Sequence, residues 1–302
     1  MNKFLIILTG TPRGGVKTWK TLVEHLVKPL NADLAICFGK SFINQGNNFL
    51  SEISKYDWTF DEPEDWSEYY KKYYSGNWRD FLLRGEDLGM AGGIDEYSGS
   101  GSIVSGLKDI IFRNHLDTVL NYDYIIHTRA DQYYLDCLPE PNEDKIFIPE
   151  GEDYYGICDR FILFHSKYAK SYFSLCEFID SAIDQNKVPE IVSPESVLLS
   201  HLENENMLIN VERIKRINFT VSKKGEATRW RIAKYRLHFK QLMIKYPDEF
   251  ISSVKNLLIK HGIIEVFLKN FVIFGNYLYL NFRRYLGNLK RTKVIKILNR
   301  KK

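Results

Sequence analysis

The sequence predicts an α/β chain, with a mostly parallel sheet flanked by helices and followed by a basic α-helical extension. Three observations predict it. Apolar, β-branched runs of strand length recur from residue 3 to residue 164. The first two are joined by a glycine-rich turn and a stretch with helical apolar spacing. After about residue 225 the pattern changes to basic, aromatic segments. With 302 residues, 44% hydrophobic and 14% aromatic, the chain suffices for one large α/β domain plus an appendage, and its composition excludes a disordered protein.

Lys3–Leu8 (KFLIIL) is bounded by Gly10 and Pro12. It reads as a buried strand rather than a signal peptide, because turn-forming residues follow at once and no small-residue cleavage site is seen. Thr18–Leu30 places Leu22, Val23, Leu26, Val27 and Leu30 at helical spacing, and Pro29 is expected to end that helix early. Ala32–Phe38 is a second buried strand that stops at Gly39. Strand, turn, helix and strand make a βαβ unit, hence a parallel sheet with a right-handed crossover.

Residues 50–90, acidic and rich in Trp and Tyr, read as an irregular excursion with short helices. Tyr97–Ser105 is a Gly/Ser turn opening the helix Ile103–His115, and Tyr122–Thr128 is a central strand. Lys145–Pro149 and Arg160–Phe164 are further strands, and helices are expected over Ser166–Gln185 and Pro194–Asn204. Long basic helices are expected beyond 225. The boundary falls between 215 and 228, giving a domain at 1–220 and a tail at 221–302. Ile263–Phe282 is apolar, but Glu265, Lys269, three asparagines and Gly275 interrupt it. It fits an interfacial or core helix better than a membrane span.

The net charge of +4 hides a division. Residues 211–302 hold 23 Lys and Arg against 5 Asp and Glu, while the rest hold 19 against 33. Such asymmetry points to a tail that meets an anionic surface, or one that pairs with the acidic body. Cys37, Cys137, Cys158 and Cys176 form no CxxC pair or metal-ligand spacing, so inert thiols and a reducing, cytoplasmic compartment are expected.

Four segments can carry chemistry. The loop at 9–18 (TGTPRGGVKT) is not a phosphate-binding Walker loop, because Val16 separates Gly15 from Lys17. A glycine turn between a strand and its helix still lets backbone N–H groups of Thr9, Gly10 and Thr11 face a phosphate, with Arg13 adding a charged contact. The alternative is a plain tight turn. Asp131 lies just past the end of a central strand, where open α/β sheets bind ligands. Arg129 shares its side of the pleat, so the two make either a phosphate-and-metal pair or a structural ion pair. In the loop Glu150–Phe164, the carboxylates Glu152, Asp153 and Asp159 are candidate general bases or ordinary solvated acids. Ser193-Pro194-Glu195 is good helix-start chemistry, and Glu195 is equally a candidate catalytic acid.

The succession YSGSGSIVSGLKDIIF, YDYIIHTRADQYY, IFIPEGEDYYGICDRFILF and SPESVLLSHL resembles bacterial and large-virus glycosyltransferases of the GT-A type. It is similar to the lipopolysaccharide- and capsule-synthesis group, whose strand ends in Arg-x-Asp and whose later loop reads Asn-Asp-Arg-Phe. The resemblance covers roughly 3–215 and is one of motif order. It implies a GT-A-like, Rossmann-like sheet and transfer of a sugar from a nucleoside-diphosphate sugar to a glycan or lipid-linked acceptor. In that family an Asp-x-Asp motif holds a metal and the diphosphate. Here Arg129 stands in the first position and Asp131 matches the second, so Mn²⁺ or Mg²⁺ on Asp131 is implied, with Arg129 able to substitute in part. The resemblance also implies that Asp159 contacts a sugar, that Glu195 serves as base, and that Thr9–Gly15 and Gly39 line the nucleotide pocket. The aromatic segment 57–78 is a candidate sugar-stacking surface or core.

Residues 229–245 place Trp230, Ile232, Leu237, Leu242 and Ile244 among six Lys and Arg, and the final stretch repeats the theme. Each basic group near an anionic leaflet contributes ~1 kcal/mol, so 229–302 is expected to hold the protein peripherally on a membrane. No nucleic-acid motif is present, and no nucleic-acid partner is expected. Two rival functions share these features. GTPRGGVKTWKTLVEHL also resembles the phosphosulfate-binding strand, loop and helix of sulfotransferases, and a non-catalytic glycan- or nucleotide-binding protein accommodates the Arg in place of Asp.

Overall fold

The structure, a computed structural model, describes residues 2–43, 48–84, 99–226, 238–239 and 241–299. The chain opens with β1 (Phe4–Thr9), α1 (Gly15–Leu22), a π-helical turn, α2 (Lys28–Leu30) and β2 (Asp33–Cys37). Then come α3 (Lys40–Ile43), α4 (Asn48–Ile53), β3 (Tyr56–Asp57), α5 (Trp66–Tyr73) and α6 (Trp78–Leu83). The helix α7 (Ser100–Val119) leads to β4 (Tyr124–Arg129), β5 (Gln132–Tyr134), β6 (Ile146–Pro149) and β7 (Phe161–His165). Next are α8 (Ala169–Phe173), α9 (Leu175–Ser181), α10 (Pro194–Asn204), β8 (Val211–Ile214) and β9 (Asn218–Lys223). The last elements are β10 (His238–Phe239), β11 (Leu242–Ile244), α11 (Pro247–His261), α12 (Ile263–Lys269) and α13 (Phe271–Asn299).

The βαβ expectation holds. Strands β1 and β2 pair in parallel, and α1 begins at Gly15, three residues earlier than the apolar spacing suggests. Pro29 does not cut the helix short. The π-helical turn at Val23–Val27 precedes it, and a widened turn accommodates the missing N–H and the ring that would clash in regular α-helix. Asn31, left-handed at φ 46, ends the run. The helix expected over 166–185 is instead a 3₁₀ turn, α8 and α9, broken at Ser174.

Seven strands form the main sheet in the order β3-β2-β1-β4-β7-β6-β8. Only β7 runs against its neighbours. Along β1, Leu5 and Ile7 join one core while Phe4, Ile6 and Leu8 join the other, as a strand covered by helices on both faces requires. Strand order reverses between β1 and β4, the place beyond whose carboxyl ends open α/β sheets form their ligand crevice, and there Thr9 and Arg129 are register partners.

A second sheet, β10-β11-β9-β5, begins where the chain leaves β4 at Ala130–Asp131 and enters β5. The boundary set at 220/221 therefore falls inside β9, and the tail is not wholly helical. At 238–239 and 242–244 the chain is strand, because Leu242 and Ile244 alternate onto the core shared with Phe219, Val221 and Phe250, and this period of two overrides the helical reading. Trp230, Ile232 and Leu237 lie outside the described residues, as does the first part of the expected turn at 97–105. The aromatic segment 57–78 is largely interior. Trp58, Trp66, Tyr70, Tyr74 and Trp78 are buried, and the Tyr69 and Tyr74 hydroxyls donate to the buried Asp109 at 2.8 and 2.6 Å.

Candidate functional site

The crevice floor starts at β1. The Thr9 hydroxyl turns inward, 3.0 Å from Nε2 of the buried His127, whose Nδ1 meets the Tyr172 hydroxyl at 2.7 Å. Thr9 therefore offers the crevice backbone only. The turn that follows needs glycine at Gly10, Gly14 and Gly15, with φ of 81, 86 and 66. The Arg13 N–H closes onto the Thr11 carbonyl at 2.8 Å. At the start of α1 the Gly14 N–H donates to the Glu226 carboxylate at 3.0 Å, and that oxygen also accepts from the Lys223 N–H. A carboxylate of the chain thus occupies the position expected for a phosphate. Gly39, past β2 on the same edge of the sheet, neighbours Phe60 and the Glu62 side chain.

Beyond β4, Asp131 is 0% exposed and locked to Arg129 by two hydrogen bonds, Nε to Oδ1 at 2.9 Å and Nη2 to Oδ2 at 2.6 Å. The Trp19 indole N–H, donating to the Ala130 carbonyl at 3.1 Å, ties α1 to this turn. Burial pushes the Asp131 carboxyl up, but the charge and hydrogen bonds of Arg129, helped by Lys245 and Arg13, hold it below the usual carboxylate range. Lys245, at the end of β11, is pushed down to about 8 by burial and then by the Arg129 charge. Asp131 offers a divalent cation no oxygen free of the Arg129 guanidinium. No group of three His, Cys, Asp or Glu among the described residues is arranged to hold a metal.

A second cluster centres on Arg160, at the start of β7. Its Nη1 lies 2.7 Å from Glu195 and 3.4 Å from Asp159, its Nε 3.1 Å from Glu249, and its Nη2 donates to the Glu152 carbonyl at 2.8 Å. Its guanidinium also lies over the rings of Tyr154 and Tyr246. Glu195 reaches it because a Ser193–Ser196 capping box and Pro194 start α10 there, and because the Ile157 N–H donates to the Glu195 carbonyl. Burial, then the like charge of Asp159, raises the Glu195 carboxyl to about 8 against the pull of Arg160. The buried Lys108 of α7 lies in the field of both carboxylates.

The loop feeding this cluster is strained. Glu152, Tyr154 and Tyr155 all have positive φ, at about 1–3 kcal/mol for each such residue, and such strain collects at functional sites. At Gly156 a Cβ would lie 2.0 Å from the Glu195 carbonyl oxygen. Gly156→Ala is therefore expected to push the loop off α10 and lower stability by about 1–3 kcal/mol in urea unfolding. An unchanged midpoint would show that the loop yields without loss.

The structure thus pairs Arg129 with Asp131 and joins Asp159 to Glu195 through Arg160. The two clusters meet in the field around Lys245 and Tyr246, whose titrations feel Arg129, Arg160 and Glu249. Sequence reasoning missed Lys245, Tyr246, Glu249 and Arg216. Glu249, 1% exposed, accepts from Arg160, from Arg216 Nη1 at 3.2 Å and from the Thr220 N–H at 2.8 Å. The signal was there. Asp248 and Glu249 are the only acids between Glu226 and Glu265, beside a helix-starting proline in a basic stretch. No protein-family model matches this chain, and no curated protein matches it.

Proposed function

We propose that this chain is a GT-A-like glycosyltransferase that moves a sugar from a nucleoside-diphosphate sugar to a glycan or lipid-linked acceptor. One observation carries the reading. A cationic group (Arg129, Lys245 and Arg13 around Asp131) adjoins a carboxylate pair (Asp159 and Glu195) at the carboxyl end of the sheet, beside its switch point.

In this reading the Glu195 carboxylate, once ionised, takes the proton of an acceptor hydroxyl, and that oxygen attacks the anomeric carbon. The bond from that carbon to the diphosphate breaks, and the nucleoside diphosphate leaves with the electron pair. Its growing negative charge is met by Arg129, Arg13 and Lys245, fixed donors in a site of low dielectric. Asp131 acts as the partner that holds Arg129. The strained loop and the rings of Tyr154 and Tyr246 offer the acceptor sugar an apolar face.

Thermal shift against UDP and GDP sugars, with and without Mn²⁺, tests this, since a ligand of the folded state stabilises by RT ln(1 + [L]/Kd). Stabilisation that persists in EDTA is expected, with about 10- to 100-fold weaker binding in Arg13→Ala and Arg129→Lys. No response to any nucleotide sugar defeats the proposal. A response to adenosine phosphosulfate alone moves the chain to sulfotransferases, and binding without transfer makes it a binding protein.

A further inference from the structure

The C-terminal helices leave an apolar surface uncovered. Gly262, at φ 79, turns the chain from α11 into α12, and α12 and α13 meet at 117° across Asn270. Val266, Ile273 and Leu280 face inward onto the core of the second sheet. The outward faces, which a surface helix normally makes polar, are apolar too: Ile264 is 78% and Leu268 74% exposed, and Ile263, Phe271, Phe282 and Tyr285 are also uncovered. Of the 19 exposed large hydrophobic residues described, 12 lie between Ile259 and Leu286. Monomeric soluble domains rarely leave so much contiguous apolar surface without a partner.

Charge identifies the partner. After Glu265 the sequence has ten Lys and Arg and no Asp or Glu. Lys269, Arg283 and Arg284 flank the exposed apolar side chains directly, with Lys269 paired to Glu265 and Arg284 to Asp248. No single described helix is long and apolar enough to cross a bilayer, and the bent pair meets that length and composition only in combination. Apolar apex and basic flanks without a straight span are the features of an element that lies in the interfacial layer.

We infer that the α12–α13 elbow inserts into the interface of an anionic membrane, with Ile263, Ile264, Leu268 and Phe271 entering the acyl boundary and the basic groups meeting lipid phosphates. The anchoring surface is narrower than residues 229–302, because Leu242 and Ile244 are buried in the body and Lys245 lies in the field of Arg129 and Asp131. The inference stands apart from the transferase reading and survives its failure.

Flotation of the full chain tests it, using vesicles of phosphatidylcholine with about 30 mol% phosphatidylglycerol and vesicles of phosphatidylcholine alone. The chain is expected to float with the anionic vesicles, and I264E/L268E to lose at least about tenfold in partitioning. Both side chains are exposed, so circular dichroism and the urea midpoint should not move. High salt should weaken wild-type binding without removing it, since insertion is apolar as well as electrostatic. Equal flotation of variant and wild type, or no flotation of either, overturns the inference. So does a dimer in light scattering that the double substitution separates, because a second copy would then cover this face.

Discussion

Glu249→Ala should lower the unfolding free energy by about 3–5 kcal/mol, the largest stability effect expected of any substitution at this site. The substitution leaves the guanidiniums of Arg160 and Arg216 buried without the carboxylate they share, and strips the Thr220 N–H of its acceptor. Glu249→Gln should be milder, because an amide oxygen still accepts two of those hydrogen bonds. Urea unfolding measures both, and a loss below about 1 kcal/mol would mean that the two arginines find other partners. The same contacts forbid a simple division of the chain. A fragment ending near residue 220 loses Glu249 and the α11 face that covers Phe219, and is not expected to fold.

In the proposed transferase reaction, Glu195→Gln should reduce sugar transfer by about 10²–10⁴-fold, the range for loss of a general base, while Arg160 keeps an acceptor and the fold remains. Its pH dependence is the sharper signature. The folded state holds the Glu195 proton up to about pH 8, whereas the unfolded state releases it near its ordinary value of 4.5. The stabilisation is therefore complete below pH 4.5, declines as pH rises, and is gone above about 8. Glutamine has no such slope, so its stability relative to wild type should improve by about 3–4 kcal/mol between pH 5 and pH 8. Parallel urea midpoints at the two pH values would sink this assignment. Wild-type transfer should climb toward pH 8 as the Glu195 carboxyl ionises.

Much of the fold was legible because buried strands and amphipathic helices carry one-dimensional signatures. The apolar runs at β1, β2, β4, β6 and β7 and the helix start at Pro194 are of that kind, whereas the helix expected over Ile103–His115 begins earlier, at Ser100 inside the expected turn, and runs on to Val119. Strand β9 hid its signature behind polarity. Phe219 and Val221 alternate with Asn218, Thr220 and Ser222, which are buried and polar, and Thr220 accepts from Gln132 across the sheet. In the site, Asp131 could be placed at a strand end, and its neighbour Arg129 two residues away made the ion pair foreseeable. Glu249 could not be seen as the partner of Arg160, 89 residues earlier, because pairing at that separation depends on how the second sheet folds back. The charge count pulled the same way, since it treated all of 211–302 as one basic tail and so took in β8, β9 and the buried Glu249.

Glu226 gives the glycine turn a further property. An incoming phosphate finds the Gly14 N–H already engaged by a carboxylate of the protein, so entry is an exchange of one anion for another rather than the filling of a vacancy. The measured affinity of any anionic ligand that reaches this turn is reduced by the fraction of time the native occupant holds it. The same competition helps any bound anion depart, because the carboxylate is tethered close by and ready to return.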